Sequence, residues 1–232
     1  MKLRGYLFAA ATAITAAVGL AIPAQAASLF SNSGPISFSK DTRVEFKFHA
    51  SHGAYQSTLA VYNSNRQLLQ NLFVEELPRD PIAGGKTNQY NNVDSRGTCG
   101  VTVNPAPCVT TYNFLANTSY YLGLSSLGIP TTVFSNDPVG GATPGGFRFV
   151  ADVDSVLYPT KYAPPTGANF KSLPLQHGET AILINDPSPV DRDANDFVVT
   201  AKSVPEPATL AGLGVVAAGL AASRRRKAEQ TA

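Results

Sequence analysis

The chain has 232 residues, 44% of them apolar, and a formal charge of +2 that comes from its ends. Residues 27–203 carry fourteen carboxylates against twelve lysines and arginines, a near-neutral body without the basic footprint that binding nucleic acid requires. Its length suits one domain with a sizeable core, and 19 glycines and 17 prolines suit a turn-rich β protein rather than a helical bundle.

Met1-Lys2-Leu3-Arg4 is a basic start, Gly5 to Ile22 is an apolar run, and Ala24-Gln25-Ala26 puts small residues at the −3 and −1 positions. Residues 1–26 therefore read as a signal peptide, its apolar part helical, that signal peptidase removes to leave Ala27 first. From there to Ser203 no helical period is sustained. Val44, Phe46 and Phe48 alternate with polar residues, as do Leu59 and Val61. Gln67 to Glu76 fits a strand or a helix and is read as a strand. Tyr120, Leu122 and Leu124 share a face, Phe147 and Phe149 straddle Arg148, Ala181 to Ile184 reads as a buried strand, and Phe197 to Ala201 closes the set. About eight to ten short strands predict an all-β domain over residues 27–203, a β-sandwich of jelly-roll type. Two long loops, Leu77 to Cys99 and Asn136 to Gly146, interrupt it. The only cysteines, Cys99 and Cys108, bracket a turn-forming stretch, and in an oxidising compartment they are expected to form a disulfide.

The densest chemistry lies in Asp186-Pro187-Ser188-Pro189-Val190-Asp191-Arg192-Asp193-Ala194-Asn195-Asp196. Asp191, Asp193 and Asn195 alternate, so an extended chain puts their oxygens on one face, and Asp186 and Asp196 stand at either end. Oxygen ligands at this density suit Ca²⁺. A solvated acidic turn explains the same residues, and the segment is no EF-hand, since Asp196 and Lys202 occupy the positions of the turn glycine and the bidentate glutamate. His49 and His52 read as exposed turn residues. Asp152 and Asp154 read as neighbours on one strand face. Neither G-x-S-x-G nor H-E-x-x-H occurs, and no acid–base constellation stands out, so no catalytic residue is assigned and no enzymatic activity is expected. Glycan binding through a platform of Tyr120, Tyr121, Tyr158 and Tyr162 is the alternative role.

Residues 204–232 have a different character. Pro205-Glu206-Pro207 cannot continue a sheet ladder. An apolar run from Thr209 to Ala222 follows, about 21 Å long as a helix, and then Arg224-Arg225-Arg226-Lys227, whose charges hold that end in the cytoplasm. This order resembles the PEP-CTERM sorting signal. The resemblance implies a transmembrane sorting helix, recognition by an exosortase-type membrane protease, processing near the Pro-Glu-Pro, a place at the cell envelope or outside it, and an association with exopolysaccharide. Three body segments, His49-Ala50-Ser51-His52-Gly53-Ala54-Tyr55-Gln56-Ser57-Thr58-Leu59-Ala60-Val61-Tyr62-Asn63, Gly146-Phe147-Arg148-Phe149 and Asp191-Arg192-Asp193-Ala194-Asn195-Asp196-Phe197-Val198-Val199, together resemble an uncharacterised family of bacterial surface β-domains that end in a D-x-D-x-N-D-x-V-V strand and often precede such tails.

Overall fold

A computed structural model describes residues 29–30, 34–52, 55–76, 99–100, 102–137, 146–159, 170–186, 194 and 196–205. The signal peptide, the sorting helix and its basic end, and Asp191, Asp193 and Asn195 lie outside the described residues. All regular structure among the described residues is β.

One sheet is built from β1 (Thr42–Ala50), β5 (Val109–Phe114), β8 (Gly146–Ala151), β11 (Glu179–Asn185) and β12 (Phe197–Ser203), in the order β5-β1-β12-β11-β8. A second takes β2 (Ser57–Asn63), β3 (Leu68–Glu75), β4 (Val103–Asn104), β6 (Tyr120–Ser126) and β7 (Val133–Phe134), in the order β4-β3-β2-β6-β7. β9 (Ser155–Pro159) and β10 (Phe170–Pro174) pair separately. Neighbouring strands are antiparallel throughout.

Period-2 alternation assigns the faces. Val44, Phe46 and Phe48 of β1 point inward with Phe147, Phe149, Ile182, Ile184, Phe197 and Val199. They meet Leu59, Val61, Phe73, Leu122 and Leu124 of the other sheet in one core, the face-to-face packing of a sandwich. Phe30 closes this core, its ring centroid 5.3 Å from that of Phe149 and 6.2 Å from that of Phe46.

The β9–β10 pair adds a third layer. Val156, Tyr158 and Leu173 pack on the outer side of the first sheet against Ala181, Leu183 and Val198. β11 is therefore apolar on both faces, which is why Ala181 to Ile184 reads as a continuous hydrophobic run. The rest of that outer side stays polar, with Arg43, Glu45 and Lys47 of β1 alternating against the inward aromatics.

Three expectations are corrected. His52 is buried, and His49 is half-buried on β1 rather than in a turn, because a register shift between Phe48 and Ala50 carries the chain inward past the strand end. Asp152 and Asp154 share no strand face: β8 ends at Ala151, and both are exposed in the turn to β9, where Asp152 has φ 60°. Tyr162 lies outside the described residues, and two of the other tyrosines divide between layers. Tyr120 belongs to the main core and Tyr158 to the layer under the hairpin, so these two form no common platform.

Cys99 and Cys108 form the expected disulfide, with Cα atoms 5.6 Å apart. Cys99 bridges to Val103, and the Phe48 N–H donates to the Cys108 carbonyl at 3.0 Å, so the cross-linked turn is tied to β1.

Candidate functional site

Antiparallel pairing collects the C-terminal ends of β1, β3, β6 and β11 and the N-terminal ends of β2 and β12 at one end of the sandwich. A buried polar cluster forms there from Ser51, Ser57, Glu75, Ser126, Asp186 and Asp196. Glu75, 3% exposed, is its anchor. Ser51 Oγ donates a short hydrogen bond to one carboxylate oxygen, and the Ser57 N–H donates to the other at 2.8 Å. The Gln56 side-chain amide donates to the Glu75 carbonyl at 2.6 Å, and Ser57 and Ser126 share a hydroxyl hydrogen bond of 2.9 Å. Burial pushes the Glu75 carboxyl up to about 7 from 4.5, against the two hydrogen bonds that favour its charged form, and the negative charge of Asp186 adds to the rise.

Of the residues singled out for metal binding, Asp186 and Asp196 are brought together. The Asp186 N–H donates to Asp196 Oδ2 at 2.6 Å, and both residues are buried, at 1% and 2% exposure. Ala194, between the expected ligands, packs under the β9–β10 layer. Among the described residues no group of three or more His, Cys, Asp or Glu side chains is arranged to hold a metal ion. Sequence reasoning missed Glu75, Ser51 and Ser57. Alternation did contain a signal for Glu75, which stands two residues after the buried Phe73 on the same strand.

A second feature lies where the β9–β10 layer stops short of covering the first sheet. A groove of about 460 Å³ opens there between Lys47, His49 and Glu179 on the sheet and Lys171, Leu173 and Leu175 of the hairpin side. His49 Nε2 lies 3.0 Å from Thr200 Oγ1. Burial, then the Lys47 ammonium, lower the His49 pKa to about 4; Glu179 opposes this and Lys171 adds to it. The imidazole is therefore neutral near pH 7.

Residues 203–227 match the family model of the PEP-CTERM protein-sorting motif. The match begins on Ser203, the last residue of β12, and the Val204 N–H still donates to the Arg43 carbonyl at 2.8 Å. No curated protein matches the chain. The motif defines the class: an exported, membrane-anchored protein. Within that class this chain is a substrate for exosortase processing, carrying an all-β body of antiparallel sheets ahead of the motif.

Proposed function

We propose that this is an exosortase-sorted protein of the cell envelope or extracellular matrix. Its jelly-roll-type sandwich is non-enzymatic and is stabilised by Ca²⁺. The observation that carries the reading is the sorting motif starting where the last sheet strand ends: export and processing act on linear segments beside a finished domain. In this reading signal peptidase frees Ala27, the apolar run from Thr209 to Ala222 spans the membrane transiently, and Arg224 to Lys227 stay cytoplasmic. The body resembles the surface β-domains described above, which suits the same location. The test is fractionation of cells with and without the exosortase, followed by sequencing of both ends of the product. The expected mature form starts at Ala27 and ends near Pro205-Glu206-Pro207, and it accumulates unprocessed in the membrane when the protease is absent. A full-length product with Met1 and Ala232 intact in the cytosol overturns the proposal.

The Ca²⁺ element is supported by buried Asp186 and Asp196 near Glu75, whose carboxyl is raised chiefly by burial, with the Asp186 charge adding to the rise. Asp186, Asp191, Asp193, Asn195 and Asp196 would supply the oxygens, and the ion would offset their mutual repulsion. The expected result is a melting temperature several degrees higher in millimolar Ca²⁺, lost in Asp191→Ala with Asp193→Ala. No shift, or an equal shift in that variant, removes Ca²⁺ from the account.

The groove beside His49 favours a second reading, a glycan-binding module associated with exopolysaccharide. Its lining mixes hydrogen-bonding and apolar residues, as sites for small polar ligands do. A glycan array without hits overturns it.

A further inference from the structure

We infer that this groove takes an acidic glycan, a chain of sugars bearing carboxylates, and that Lys47 and Lys171 hold its charge. The inference rests on the glycan reading and names the ligand class.

Charge comes first. The outer side of the first sheet and its hairpin present Arg43, Lys47, Arg148, Lys171 and Lys202 against Glu45 and Glu179. Glu45 is already used by Lys202, at 3.5 Å. Glu179 accepts the Gln176 N–H at 2.8 Å and so serves its own turn. Among the described residues neither Lys47 nor Lys171 has an ion-pair partner within 4 Å, yet both ammoniums are close enough to act on His49. Two such cations on facing elements, one on β1 and one on β10, make a positive field inside a concave surface.

The lining then narrows the class. Gln176 supplies a hydrogen-bonding side chain for hydroxyl groups, and half-buried Leu175 supplies an apolar surface for the C–H face of a sugar ring. Among the described residues no aromatic face of the groove is open for stacking: Tyr158 lines it but is only 1% exposed, its ring packed beneath the hairpin. A neutral sugar depends on stacking for much of its affinity, so this groove holds neutral glycans poorly and gains from a charged one. Lysines act as point charges rather than as a planar fork, and the surrounding described residues are strand and turn, with no helix terminus among them to converge N–H groups on a phosphate. Carboxylates spaced along a sugar chain fit two lysines on opposite walls.

The test is calorimetric titration of the full chain in detergent micelles with pentagalacturonate and with neutral maltopentaose. Pentagalacturonate is expected to bind, more weakly as salt rises, while maltopentaose binds at least about tenfold more weakly. Lys47→Ala with Lys171→Ala should weaken pentagalacturonate about fivefold to tenfold; both side chains are exposed, so the melting temperature should not move. Arg66→Ala, a cation in the β2–β3 turn of the other sheet, should leave binding unchanged. Equal binding of the two oligosaccharides overturns the inference and leaves the glycan reading standing. Binding of neither overturns both. Full displacement by equimolar inorganic phosphate, or an equal loss in Arg66→Ala, marks a general anion effect and overturns the inference.

Discussion

Glu75 ends β3 with both carboxylate oxygens occupied by donors, and it is still pushed up to about 7 because burial outweighs them. The sign of its effect on stability follows from linkage. The folded-state pKa lies above the ordinary 4.5, so the native chain binds the proton more tightly than the unfolded chain. Its contribution is greatest below about pH 4.5, falls as pH rises to about 7, and is flat above that. In chelator-treated buffer, urea unfolding should show the parent losing stability relative to Glu75→Gln between pH 5 and pH 8, a comparison in which the opposite contribution of His49, lowered to about 4, cancels. Glu75→Gln should remove this component and raise stability at pH 8 by on the order of 2–3 kcal/mol; an unchanged pH slope would contradict the assignment. Gly123 is constrained by space instead. A Cβ there would lie 2.6 Å from Tyr62 Cε2 and 3.1 Å from Thr132 Cγ2. Gly123→Ala should cost about 1–3 kcal/mol, and much of that cost should vanish when Tyr62→Leu is added, a coupling that a double-mutant cycle reads directly. The two residues differ in how far the sequence announces them. Alternation from Phe73 places Glu75 inward, but the facing of Gly123 and Tyr62 requires the register of β2 on β6.

At the scale of elements, the disulfide and the hairpin layer do what the core alone does not. The Cys99–Cys108 link closes a short loop whose backbone is bound to β1 and β3: Phe48 donates to Cys108, and Glu76 donates to the Thr102 carbonyl at 2.8 Å. Replacing both cysteines by serine should lower unfolding stability by about 2–3 kcal/mol on the chain-entropy model, measured as a lower urea midpoint under oxidising conditions; added reductant should lower the parent's midpoint comparably and leave the variant's unchanged. The β9–β10 pair shields Ala181, Leu183 and Val198 from water. β1, β2, β6 and β8 were readable from alternation, and β11 from its unbroken apolar run, whereas β5, β9 and β10 were not read. A third layer was not, because the hairpin strands are short, and Leu157 and Phe170 on its open face are as apolar as Val156 and Leu173 beneath it.

For the whole molecule, the join between body and sorting motif matters most. β12 is the middle strand of its sheet, paired on one side with β1 and on the other with β11, and its ladder ends at Ser203. Processing near Pro205-Glu206-Pro207 would therefore remove no sheet pairing. The processed protein is expected to melt within about 2 °C of the full chain in the same detergent. A chain ended after Thr200 loses the pairings of Ala201, Lys202 and Ser203 and should melt clearly lower. Equal melting of all three forms would show that β12 does not bear on stability as its central position requires.

The sorting motif at the C-terminal end was determined by the sequence alone, because sorting machinery reads a short linear pattern of charge and apolarity rather than a fold. Strand faces were determined there too, since alternation by itself divides each strand into an inner and an outer side. Only the tertiary structure decided which strand ends meet. Glu75 and Asp186 are far apart in the chain, and antiparallel pairing brings them to one end of the sandwich. Lys47 and Lys171 likewise face one groove because a hairpin folds over the outside of a sheet. Contacts of that range depend on pairing and layer packing across the whole domain, which a local pattern does not carry.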